Sequence, residues 1–456
     1  MHDQSKMGEA NLSGQLRDVW RVYTERPVLI VMALGFSSGL PLVLTGSTLA
    51  LWMADEGVDL GTIGLFSLVG LPYVLKFLWA PLVDAVRVPF LSRLLGRRRG
   101  WLMATQLALV VAIALMGLVD PLRAPGLMAL AAITVAFLSA TQDIAIDAFR
   151  VETLKENQQA AGVANFVAAY QVAMRLVAGV GTVAAVSVFG SLGAAPDTVW
   201  SWAYGLTALF MGVGLIASLL AREPDVSASI EAAQDNLSFA TRFNQAVVSP
   251  FADFVQKRGW LSLLAFVVLF KFGDAFAGAM VAPFALDIGF EKTIYISVAN
   301  GVGLPAALAG GFAGGMLGRL VTMKTALWTA GILQMVSNLV FCWQAWVGPD
   351  ATALGVTVGI EAFTSGFGTV IFVAFLSSLC VTREFTATQF ALLTALAAVG
   401  RTILSASAGF AAAAIGWVPF FLLTTLAAVP GLLFLVWLGR QNLLDGANPL
   451  RAAGKA

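Results

Sequence analysis

The chain has 456 residues, of which 59% are hydrophobic and 12% charged, with a mean hydropathy of +0.84; soluble domains average roughly 45–50% apolar and 25% charged. So apolar a body belongs in lipid, which excludes a string of soluble domains, and a net charge of +1 leaves no footprint for nucleic acid. The single histidine, His2, and two cysteines, Cys342 and Cys380, both within apolar runs, offer no histidine-based catalysis, no disulfide framework and no metal-ligand spacing. No metal and no cofactor is expected, enzymatic activity has no nucleophile and base to rest on, and proton chemistry falls to carboxylates.

Apolar runs of about 20 residues, the length that crosses a bilayer, predict twelve helices. They begin near Val28, Thr62, Trp101, Leu127, Ala161, Val199, Trp260, Ile294, Lys324, Thr352, Thr388 and Trp417. The predicted organisation is a polar tail over 1–27, six helices over 28–221, a linker over 222–259, six helices over 260–438 and a tail over 439–456. The first tail lacks the apolar core of a secretory signal, so insertion is assigned to the helices themselves.

In helix 1, Ser37-Ser38-Gly39-Leu40-Pro41 and Thr45 interrupt an apolar run. Proline removes a backbone donor, so the segment is either a kink relieved by its own hydroxyls or a place where Ser37, Ser38 and Thr45 meet a ligand. Helix 2 carries Gly70-Leu71-Pro72. Helix 4 ends in Gln142, Asp143, Asp147 and Arg150, one polar stripe by helical spacing. Asp147 and Arg150, nearer the interface, suit a gate-locking salt bridge, whereas the deeper Asp143 suits proton or substrate contact. Arg175 in helix 5 is near the midplane, as is Arg401 in helix 11. A guanidinium there suits a carboxylate, a phosphate or sugar hydroxyls, or else pairs with Asp143, Asp274 or Glu361.

In the linker, Phe239, Phe243, Val247 and Phe251 recur at four-residue spacing before Lys257 and Arg258. That pattern predicts an amphipathic helix, either an interfacial strap between halves or a docking helix for a partner. Helix 7 carries Lys271 and Asp274, three apart, which either neutralise one another or exchange partner and proton during transport. Helix 8 repeats Gly303-Leu304-Pro305, matching helix 2 in order and depth. Two six-helix halves related by an axis along the membrane normal are the arrangement expected of major facilitator transporters. Glu361 in helix 10 has no basic neighbour in sequence. It is either a proton carrier or a neutral acid bonded to backbone.

The cations carry an orientation signal. Of the 27 Lys and Arg, 21 fall in the tails and the alternate loops on the same side, two (Arg123 and Lys292) in the opposite loops, and four (Lys76, Arg175, Lys271 and Arg401) within spans. The positive-inside rule then places both termini in the cytoplasm, which an even number of helices requires.

The stretches FSSGLPLVLTGSTLALWMADEGVDLGTIGLFSLVGLPYVLKFLWAPLVD (36–84), FLSATQDIAIDAFRVETL (137–154) and AVVSPFADFVQKRGWLSLLAFVVLFKFGDAFAGAM (246–280) resemble AmpG-type permeases of the major facilitator superfamily. The resemblance implies an all-α membrane protein of twelve helices in two pseudo-symmetric bundles. It implies proton-coupled import of anhydro-muropeptides across the bacterial inner membrane, for cell-wall recycling and β-lactamase induction. The cargo would be N-acetylglucosaminyl-anhydro-N-acetylmuramic acid with or without its stem peptide, and the other partners protons and membrane lipid, with a monomer doing the work. The same resemblance marks the SSGLP segment, Gln142, Asp143 and Asp147, and the Lys271/Asp274 pair as functional candidates. The segment from Asp84 to Gly96-Arg97-Arg98-Arg99 resembles the superfamily's gating loop between helices 2 and 3. Similar proteins carry an arginine directly after the helix 5 tyrosine, whereas here Tyr170 precedes Gln171 and the arginine comes one turn later, at Arg175. Competing readings are a carrier of another anionic solute or drug, and a non-transporting membrane assembly scaffold.

Overall fold

The structure, a computed structural model, describes residues 21–58, 62, 65–224, 259–278, 280–380, 386–405 and 408–441. The expected amphipathic stretch with Phe239, Phe243, Val247 and Phe251, most of both tails, and the Arg401 side chain lie outside the described residues. Ten helices are long and apolar enough to cross a membrane, and two shorter apolar ones complete a set of twelve among the described residues. In the first half these are α1 (Arg26–Met53), α2 (Leu68–Leu78), α3 (Arg97–Met116), α4 (Pro125–Thr153), α5 (Glu156–Ser191) and α6 (Val199–Leu220). In the second half they are α7 (Trp260–Asp287), α8 (Ala299–Leu320), α9 (Met323–Val347), α10 (Ala351–Leu379), α11 (Thr386–Ala397) and α12 (Trp417–Arg440).

Local chemistry explains the breaks. Pro41 lies inside α1, and Thr45 closes that turn by donating its hydroxyl to the Pro41 carbonyl at 3.0 Å. The two Gly-Leu-Pro copies sit at the same kind of joint. A 3-10 turn, Phe66–Gly70, precedes Pro72 in the first α-helical turn of α2, and a π-helical turn, Ala299–Gly303, precedes Pro305 in the first α-helical turn of α8. Proline tolerates a first turn because its missing N–H has no partner there. A second π-helical stretch, Ala173–Gly181, widens the middle of α5 and carries Arg175; such bulges recur at functional sites. Helix α5 starts at Glu156, earlier than its apolar run, because Gln158 folds back to accept the Lys155 N–H at 2.9 Å and caps a polar first turn.

Close helix pairs are made by absent side chains. A Cβ on Gly35 of α1 would come 2.5 Å from the Phe166 carbonyl oxygen of α5, and one on Gly314 of α8 would come 2.6 Å from the Phe367 carbonyl oxygen of α10. Backbone therefore touches backbone within each half, as small residues allow in membranes.

The cores are unequal at the two ends. At the end where the Arg-rich α2–α3 loop lies, called the basic end below, one buried cluster joins both halves, from Val22, Ile146 and Phe149 to Phe266, Phe375 and Phe390. Toward the other end each half keeps its own core, one around Trp52, Ile113 and Trp200, another around Phe276, Phe341 and Phe421. The halves are thus packed together at one end and separately packed at the other.

Candidate transport site

At the basic end, Arg98 is wholly buried and binds Asp84 at 2.8 Å and Glu152 at 2.5 Å through Nη2, with Nε adding 3.1 Å contacts to both Glu152 oxygens. A buried guanidinium needs opposite charges this close to it. The second Asp84 oxygen crosses to the other half, accepting the Thr388 backbone N–H at 2.8 Å and its hydroxyl at 2.7 Å. Arg150, also fully buried, crosses too: Nη1 donates to Ser377 Oγ at 3.0 Å and its guanidinium lies 5.0 Å from the Phe390 ring centroid. Tyr23 Oη donates to the Phe312 carbonyl at 3.2 Å. Burial pushes the Tyr23 phenol up to about 12, against the nearby Arg319 charge, so it stays a donor at neutral pH. These bonds form a seal between the halves. Asp147, the third residue expected in a gate, faces both Lys76 and Arg150 at 3.6 Å.

Deeper in, each half holds a carboxylate on the same pair of helices with the roles exchanged. In the first half Ser38 of α1 donates to Asp143 Oδ1 of α4 at 2.6 Å. In the second half Ser365 of α10 donates to Asp274 Oδ2 of α7 at 3.3 Å. The same Asp274 oxygen takes Lys271 Nζ at 2.9 Å and Gln334 Nε2 at 3.2 Å. Gln142 Nε2 donates to Ser37 Oγ at 3.1 Å, and both residues are buried inside the first bundle. Thr45 is spent on its own helix and is 4% exposed.

Between the halves lies a cavity of about 120 Å³ walled by α5, α8 and α10. Arg175 and Gln171 enter it from the first half, and Glu361, Ser365 and Thr369 from the second. Asp274, Lys271 and Arg175 all lie within electrostatic reach of Glu361. The cavity thus brings together Arg175 and Glu361, joins Asp274 and Lys271 to them through Ser365, and leaves Ser38 and Asp143 in a separate cluster with Lys76 within reach.

Sequence reasoning missed Tyr23, Glu152, Gln334, Ser365, Thr369, Ser377 and Thr388. Gln334 was signalled only as an amide in an apolar helix, and Glu152 by its place in the VET run. Thr388 and Ser377 carried no signal, since small hydroxyl residues are ordinary in membrane helices.

Twelve helices in two related bundles, a polar cavity between them and a seal at one end define a major facilitator transporter. The fold matches the Escherichia coli fucose:proton symporter FucP, with a TM-score of 0.64 at 13% identity over 90% of this chain and 98% of that one. It also matches the proton:xylose symporter XylE bound to 6-bromo-6-deoxy-D-glucose, with a TM-score of 0.61 at 12% identity over 91% and 95%. A family profile described as acetyl-coenzyme A transporter 1 matches residues 28–121. The anhydromuropeptide permease of Escherichia coli (strain K12) is 40% identical over 425 residues, 93% of this chain and 82% of that protein. The chain belongs to the AmpG-type muropeptide permease family.

Proposed function

We propose that this permease imports anhydro-muropeptides from periplasm to cytoplasm by proton symport across the bacterial inner membrane, serving cell-wall recycling and β-lactamase induction. The cargo is N-acetylglucosaminyl-anhydro-N-acetylmuramic acid, with or without its stem peptide. Similarity to the anhydromuropeptide permease along 93% of the chain carries the cargo assignment. Chemistry agrees: the cargo has carboxylates and many hydroxyls, Arg175 and Gln171 present donors to the cavity, and the Ser365 and Thr369 hydroxyls, which donate within the second half, present acceptors. Coupling rests on carboxylates at depth, Glu361 in the cavity, Asp274 beside it and Asp143 in the first bundle.

The 21 cations gathered on one side support cytoplasmic termini. In that orientation the sealed end is cytoplasmic, and Asp84, Asp147 and Arg150 act as a gate that holds the transporter open toward the periplasm. We assign the monomer as the transporting unit and residues 222–259 as the link between the bundles.

The test is uptake of labelled anhydro-muropeptide into proteoliposomes under an inward proton gradient, set against fucose, xylose and acetyl-coenzyme A as controls. Accumulation that collapses with a protonophore is expected. Wild-type protein that takes up no muropeptide under any gradient overturns the reading.

A further inference from the structure

Helices α3 and α4 enclose an open apolar groove of about 670 Å³ that has no part in the polar site. Its floor is built from small side chains, Ala108, Ala112 and Ala131, and its walls from exposed leucines and valines such as Val111, Leu115 and Leu130. Alanines make the trough: larger residues there would fill it. Among the described residues lining it, the one polar side chain, Thr134, is spent on the Leu130 carbonyl at 2.8 Å. No other described segment covers these walls; Val111, Leu115 and Leu130 are each more than half exposed.

The groove runs from Leu127 to Leu138 on α4, roughly 17 Å at 1.5 Å per residue. A single leaflet of hydrocarbon is about 15 Å deep. Its mouth is the α3–α4 loop, at the end away from the seal, where Asp120 and Arg123 form a 3.2 Å ion pair. The loop fixes this pair, because Asp120 Oδ1 accepts the backbone N–H groups of Leu122 and Arg123 at 2.9 Å each. Arg123 engages Asp120 through Nε and remains 86% exposed, so the rest of the guanidinium is open to a further partner.

We infer that this groove binds one phospholipid with a zwitterionic, primary-ammonium head group, its acyl chain along α3 and α4 and its head group on Asp120 and Arg123. The match is of length and of charge. An acyl chain fills a trough one leaflet deep, and an anion beside a cation at its mouth complements a phosphate beside an ammonium. A purely anionic head group meets Asp120 as a like charge. A quaternary head group has no N–H to give that carboxylate.

Native mass spectrometry of the purified protein, exchanged into detergent with equal phosphatidylethanolamine, phosphatidylglycerol and phosphatidylcholine, tests this directly. One retained phosphatidylethanolamine per chain is expected. Ala112→Leu and Ala131→Leu, which fill the trough, should remove it. Asp120→Asn keeps an oxygen for the turn while deleting the charge, and should cut the preference for phosphatidylethanolamine over phosphatidylglycerol by about threefold, the scale of one exposed ion pair. Equal retention of all three head groups by the wild type overturns the head-group assignment. Retention unchanged in the alanine variants, or a dimer cross-linked through α3 and α4, overturns the groove as a lipid site. Both outcomes are read on the protein itself and are independent of any transport result.

Discussion

Asp84 divides its carboxylate between the two halves of the protein: Oδ1 takes Arg98 of its own half at 2.8 Å, and Oδ2 takes the backbone N–H and hydroxyl of Thr388 at 2.8 and 2.7 Å. Thr388 stands in the first turn of α11, where unpaired N–H groups and the helix dipole favour an anion. One residue thus completes a buried ion cluster and caps a helix across the seam.

Replacing Asp84 by Asn keeps an acceptor for one set of donors and removes the charge. Arg98 retains Glu152, so the protein should fold with a loss of about 1–3 kcal/mol. The seal should open more often. A maleimide probe on Ser377→Cys, placed where Arg150 crosses the seam, should react faster in the Asp84→Asn background, and an unchanged rate contradicts the role given to Asp84.

Glycines separate fold from motion. A Cβ on Gly315 of α8 would lie 2.7 Å from both Ala164 Cβ and Tyr23 Oη, in the opposite half, whereas one on Gly310 would collide with the Phe363 carbonyl in its own half. Gly315→Leu should fold and lose uptake because the basic end cannot shut. Gly310→Val should fail to fold, as overpacking against backbone leaves no side chain to move. Size-exclusion profiles and uptake together check the contrast.

At the second-half carboxylate, Asp274→Asn leaves Lys271 without its anion, which should cost about 2–3 kcal/mol because both side chains keep some exposure. Adding Lys271→Met should restore thermal stability. Uptake should stay absent in the double variant if Asp274 serves coupling; recovered uptake makes the pair merely structural.

In the cavity, Arg175→Lys keeps the charge and loses the planar fork, so KM for muropeptide should rise about tenfold, the worth of one charge-assisted hydrogen bond. Glu361→Gln should abolish gradient-driven accumulation while sparing exchange of cargo between the two sides. Exchange and accumulation falling together would assign Glu361 to cargo binding.

The spans were legible because bilayer thickness sets a length that an apolar run must meet. The start of α5 was not, since Glu156 to Gln159 look like loop until Gln158 is seen capping them. Both Gly-Leu-Pro copies announced their joints, because glycine and proline act on backbone locally. The Lys271–Asp274 pair was readable from i, i+3 spacing. By contrast, Arg175 and Glu361 share a cavity only through the packing of α5 against α8 and α10, and no local spacing encodes that. Asp84 and Thr388 are likewise joined only by the closure of the two halves.

The glycine contacts fix which boundary in the molecule slides. Gly35 locks α1 to α5 and Gly314 locks α8 to α10, so Arg175 travels with the Ser38 turn of α1 and Glu361 travels with α8. When the sealed end parts, the rupture passes between α5 and α8 and pulls these two opposite charges away from each other. In the proposed symport the separated charges would take new partners, a proton on Glu361 and an anionic group of the cargo on Arg175.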